Sequence, residues 1–134
     1  MSQISCRGRD GIVRDFEYRV EHNRTDGQWT YRVTTIPPPA GGDFFELRVV
    51  ELDESAVRVV MANHFYKEEY SAMGIPEALL PVVKAELGRA VESSPSQGPV
   101  AGIYRADSAT KYWERLCKLG GATYDSSTDI FTVA

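Results

Sequence analysis

The chain has 134 residues and a formal net charge of -4, with 43% hydrophobic and 25% charged residues. That length suits one domain spanning positions 1–134, and the composition excludes intrinsic disorder. The acidic balance, with its basic residues dispersed, argues against nucleic acid as the partner, because such affinity rests on clustered Lys and Arg.

No stretch reaches the ~18 consecutive apolar residues of a membrane span, and Met1 to Asp10 lacks the apolar centre of a signal peptide. A cytoplasmic protein without membrane contact is expected. Cys6 and Cys117 stand far apart with no CxxC spacing, so no disulfide framework is expected.

Gly11 to Val20 places Ile12, Phe16, Tyr18 and Val20 at alternate positions, the period of a strand with one buried face. Thr25-Asp26-Gly27 supplies a turn, and Trp29, Tyr31, Val33 and Thr35 alternate again, which predicts a hairpin. Pro37-Pro38-Pro39 ends that strand because proline cannot donate to a ladder, and Gly41-Gly42 lets the chain reverse. Phe45, Leu47 and Val49 form a third run, and Val57 to Met61 a fourth beyond Asp53-Glu54-Ser55.

The period then changes. Pro76 and Glu77 open a helix whose Leu79, Leu80, Val83 and Leu87 share one face, with Gly88 beyond it. Ala90 to Ser93 reads as a short strand and Ser94 to Gly102 as a loop. A second helix begins at a cap on Asp107 or Ser108, buries Ala109, Tyr112, Trp113, Leu116 and Cys117, and ends at Gly120-Gly121. Ala122 to Tyr124 and Ile130 to Val133 close the chain as a strand pair. This order predicts an α+β fold, a mixed and mostly antiparallel central sheet flanked by two main helices.

Chemistry concentrates where the fourth strand meets the first helix. A tight strand-to-helix connection leaves backbone N–H groups without helical partners at the positive end of the helix dipole, where anions bind. In Glu69-Tyr70-Ser71-Ala72-Met73-Gly74-Ile75-Pro76, leading into Ala78-Leu79-Leu80, the text resembles the acyl-CoA pyrophosphate loop of the GNAT acyltransferase superfamily. Ser71 stands where the family has a basic or amide residue, and Pro76 replaces its final small residue. The same residues also read as a plain helix entrance, with Tyr70 and Met73 packing over its first turn.

The resemblance implies a GNAT-like domain that takes acetyl-CoA or another acyl-CoA and transfers the acyl group to an amine. Its cofactor contacts would come from Phe65, Tyr66, Ser71, Ala72, Met73, Gly74 and Ile75. A tyrosine early in the later helix protonates the departing thiolate in many members. Here Trp113 aligns with that position, leaving Tyr112 or Tyr104 to serve, while Tyr112 and Trp113 both fall on the stripe expected to face the core. His64, Glu68 and Glu69 lie near the same loop as bases, histidine having the suitable intrinsic pKa. A full member has two helices after its first strand. This chain lacks room for them, so its acceptor side is open, or is completed by a second subunit, or the protein no longer performs transfer.

The alternative is a non-catalytic GNAT-like or unrelated α+β domain acting through protein contacts, as a homo-oligomer or with another partner, through a patch of Trp29, Tyr31, Phe44, Phe45 and Phe65. No metal is expected, because His22 and His64 lack partners at zinc spacing, and neither GxSxG nor GxxxxGK[ST] occurs.

Overall fold

The computed structural model describes residues 2–96 and 105–134. Strands β1 (Ser2–Arg7), β2 (Val13–Asn23), β3 (Gln28–Thr35), β4 (Phe45–Glu51) and β5 (Ala56–Asn63) precede helix α1 (Ile75–Leu87). Strand β6 (Ala90–Glu92), helix α2 (Asp107–Lys118) and strands β7 (Thr123–Asp125) and β8 (Ile130–Val133) follow. All eight strands join one sheet in the order β1-β2-β3-β4-β5-β6-β8-β7. Among the described residues, only β5 and β6 pair in parallel, with α1 as the crossover between them; the other pairings are antiparallel. The fold is therefore α+β, with a mostly antiparallel sheet and two main helices.

Side-chain polarity explains the local geometry. At the β2–β3 turn, Asn23 Oδ1 accepts from the Thr25 N–H at 3.0 Å and Asp26 Oδ1 from the Gln28 N–H at 3.2 Å. Asp53 Oδ1 does the same between β4 and β5, accepting from the amides of Ser55 and Ala56. Each bond satisfies an amide that the reversal removes from the ladder.

One face of the sheet carries the core. Tyr31 pairs with Leu47 across β3 and β4, and Val57, Val91 and Val133 run in register across β5, β6 and β8; all five are fully or almost fully buried. Burying each such side chain contributes roughly 1.5–3 kcal/mol. Both helices lie on this face. α1 packs on β1, β6, β8 and α2. From α2, Trp113 stacks on Phe131 with ring centroids 5.8 Å apart. From α1, Glu86 accepts the hydroxyls of Tyr18 at 2.7 Å and Tyr31 at 3.1 Å. On the opposite face, Glu46 is 2% exposed because Arg32 and Arg48 bind it from both sides, each at 3.0 Å.

Several details differ from the sequence expectation. Strand β1 was not expected; Ser2-Gln3-Ile4-Ser5-Cys6-Arg7 offers only Ile4 and Cys6 to the core. Strand β2 starts at Val13, so Ile12 falls in the preceding turn and Val20 lies on an exposed strand end, leaving Phe16 and Tyr18 as its buried pair. Helix α2 is capped by Ala106 without a side-chain hydrogen bond, rather than by Asp107 or Ser108, and Asp107 instead sits in the first turn, where its charge suits the dipole. Cys117 is half-buried. The five-membered aromatic patch does not form, since Trp29, Tyr31 and Phe45 fill the core. Phe44 and Phe65 remain, packed edge to face at 5.5 Å.

Candidate functional site

Strands β5 and β6 stay in register for only three pairs, Ala56 with Ala90, Val57 with Val91 and Arg58 with Glu92. Beyond them β5 runs on to Asn63, while β6 ends at Glu92 and the Ser94 hydroxyl donates to the Val59 carbonyl at 2.9 Å. A crevice of about 340 Å3 opens beside β5, with Val60, Met61, Ser94, Ala106, Ser108 and Tyr112 among its walls. Strand β5 is bulged here. Its pairing steps from Arg48–Met61 to Val49–Val59 and leaves Val60 as the extra residue.

A second notch of about 340 Å3 adjoins the crevice at the entrance of α1, and Ala62, Asn63, Ser108 and Tyr112 line both. The loop that shapes it is held tightly. Phe65, Tyr66 and Ala72 adopt positive φ, and Asn63 Oδ1 accepts the Phe65 N–H at 2.7 Å. Tyr70 is buried and donates its hydroxyl to the Asp43 carbonyl at 2.6 Å, while the Ala72 carbonyl accepts the Arg9 N–H at 3.0 Å. Among the described residues, the amides of Ala72, Met73, Gly74 and Ile75 donate to no backbone carbonyl. They supply the unpaired donors expected at a helix entrance.

The notch brings together His64, Tyr66, Ser71, Ala72, Met73, Gly74 and Tyr112. Three other residues singled out in the sequence lie elsewhere. Glu69 is exposed on a 3-10 turn (Glu68–Tyr70), Phe65 packs on Phe44, and the Ile75 side chain is buried in the core. Tyr104 lies outside the described residues. Asn63, Arg9, Ser108 and Arg115 also line the notch. No motif marks them, because the turn between β1 and β2 and the start of α2 meet only in the folded chain.

His64 Nδ1 accepts the Tyr66 N–H at 2.9 Å. A neutral imidazole with an accepting Nδ1 carries its proton on Nε2, so the ring faces its surroundings as a donor. To act as a base it must first release Tyr66. Tyr112 is 8% exposed, and burial together with the nearby Glu77 carboxylate pushes its phenol pKa up, against a smaller opposing effect of Arg105. The phenol therefore stays protonated at neutral pH.

Two features crowd the helix entrance. Gly74, at φ 76°, has the backbone of Arg7 against its α-carbon, and Pro76 removes one donor. Glu77, in the first turn of α1, lines the notch with Oε2 3.6 Å from Arg115 Nε. Among the described residues, no three His, Cys, Asp or Glu side chains gather in a way that could hold a metal ion, and no helix is long and apolar enough to cross a membrane. Comparison with protein-family models, curated proteins and solved structures finds no match to the chain.

Proposed function

We propose that the chain is a small GNAT-like domain that transfers an acyl group from an acyl-CoA, such as acetyl-CoA, to an amine. The observation that carries this reading is the crevice beside β5, adjoining a notch lined by Ala72, Met73 and Gly74, whose amides donate to no backbone carbonyl among the described residues. The crevice offers a slot for an extended, thioester-bearing arm, and the notch offers amides to an anion. Acyl-CoA would supply the activated carbonyl and a thiolate leaving group. The amides of Ala72, Met73 and Gly74 would hold the pyrophosphate. Tyr112, on the wall shared by crevice and notch, would give its phenolic proton to the departing sulfur. With His64 turned to donate, the proton of the incoming ammonium would leave through water.

The second reading is a non-catalytic domain acting through protein contacts. It is favoured by the Glu77 carboxylate, which already complements the positive end of α1, and by the Arg7 backbone covering Gly74. Thermal unfolding with acetyl-CoA separates the two. A ligand at one hundred times its dissociation constant stabilises the native state by about 2.7 kcal/mol, which raises the midpoint by several degrees. No shift at millimolar acetyl-CoA would end the acyltransferase reading.

A further inference from the structure

We propose that a basic pocket between the β1–β2 turn and helix α2 binds a phosphate-bearing small molecule of the nucleoside diphosphate class. The pocket has a volume of about 430 Å3, and Arg7, Arg9, Arg115 and Lys118 line it against one carboxylate, Glu77. Such convergence is notable in a chain whose net charge is -4. Among the described residues, Arg7, Arg9 and Lys118 form no ion pair, although eight other Arg or Lys side chains do.

The fourth cation is poorly satisfied. Arg115 Nε lies 3.6 Å from Glu77 Oε2, beyond hydrogen-bond range, and both Arg115 Nε and Glu77 Oε1 are buried with no hydrogen-bond partner. Arg7 and Arg9 come from β1 and its turn, Arg115 and Lys118 from α2, and Glu77 is the one carboxylate among them, so an added anion would meet surplus positive charge. Arginine presents a planar fork that matches phosphate oxygens, so a multiply charged phosphate group is the natural occupant. Most of the pocket surface is apolar, and Ala78 and the exposed Leu119 belong to it. That surface suits the base and sugar of a nucleotide better than it suits inorganic phosphate.

This proposal goes beyond acyl transfer. It requires no thioester, and it uses side-chain cations instead of the amides of the α1 entrance. Calorimetric titration and thermal unfolding with ADP, at low salt and without divalent metal, test it. Millimolar ADP is expected to raise the unfolding midpoint, whereas adenosine has no effect, and added salt weakens the response.

Arg7 and Lys118 are exposed and line this pocket but not the notch, so the double variant Arg7→Glu, Lys118→Glu should keep the native circular dichroism spectrum. It is expected to bind ADP at least roughly tenfold more weakly. Lys111→Glu, on α2 away from the pocket, should bind as the parent does. Absence of ADP binding at low salt, equal binding by the double variant, or equal binding of adenosine would overturn the proposal. A response to ADP without one to acetyl-CoA would sustain this site and discard acyl transfer. A response to acetyl-CoA that the double variant retains in full, with no ADP binding by the parent, would do the reverse.

Discussion

The backbone of Arg7 lies against the α-carbon of Gly74, so the last residue of β1 leaves no space for a side chain at the entrance of α1. The left-handed φ of 76° at Gly74 adds a second reason for glycine there. Gly74→Ala is expected to destabilise the fold by about 2–4 kcal/mol, read as a lower urea midpoint at unchanged slope. A lost ligand response in a bulkier Gly74 variant would thus report damage to the fold. Tests of the notch belong at Tyr112 or Ser71 instead.

Arg105 and Asp129 form the clasp that ties α2 to the β7–β8 turn. Arg105 is 7% exposed and donates to the Asp129 carboxylate at 2.8 Å, the Asp129 carbonyl at 2.9 Å, the Ser94 carbonyl at 3.1 Å and Thr110 Oγ1 at 2.7 Å. Asp129 also accepts from Ser96 and from the Tyr124 hydroxyl. Truncating Arg105 to Ala should cost about 3 kcal/mol, because several buried acceptors lose their donor together.

These partners hold the Asp129 carboxyl well below the usual carboxylate range, with Ser96 the largest cause and Arg105 next. Its contribution to stability is complete above about pH 4, the range of an unfolded aspartate, and fades as pH falls toward the folded value. Asp129→Asn should be less stable than the parent at neutral pH, and the gap should narrow in acid. A constant gap from neutrality down to the acid transition would show that the charge plays no part.

Glu86 joins the two tyrosines of β2 and β3 to α1. Burial is the main reason the Tyr31 phenol is raised, with the Glu86 charge adding to it, and Tyr18 is raised in the same way. Glu86→Ala should cost about 1–3 kcal/mol by leaving the Tyr31 hydroxyl buried without its acceptor. Since the folded phenols titrate above the unfolded value, their contribution is whole below about pH 10 and declines as pH rises beyond it. Phenolate absorbance in the parent should therefore rise with unfolding; two tyrosines ionising at the unfolded value in the native protein would contradict the clamp.

Tyr112→Phe separates chemistry from binding. If the phenol protonates the departing thiolate, kcat for acyl transfer should fall by roughly 10²-fold or more while KM and the thermal response to acetyl-CoA hold. An unchanged kcat would reduce Tyr112 to a packing residue of the crevice wall.

Much of the fold could be read from local pattern, and much of the site could not. Alternating Trp29, Tyr31 and Val33 or Phe45, Leu47 and Val49 announce strands because each run has one face to bury. Pro76 and Gly88 mark α1 at both ends. Strand β1 was hidden because its polar residues outnumber Ile4 and Cys6, and because its pairing with β2 gives it a place that its own composition does not demand. The α2 start is a similar case: Asp107 and Ser108 are good capping types, yet the helix already includes both and Ala106 takes the cap position. Arg9 and Arg115 meet across elements remote in sequence, so no spacing rule could have paired them.

The extra residue in β5 has one more consequence. Leu47 faces Ala62 and Arg48 faces Met61 because Val60 takes up one step of the strand without a partner. Deleting Val60 would restore an unbroken ladder, with Met61 still facing Arg48 and Ala62 still facing Leu47, and would remove the local bend and added twist that the bulge gives β5. The shape of the passage beside this strand thus owes something to a kink, since Val60 itself stands in its wall, and straightening the strand would leave the facing pairs as they are while redrawing that wall.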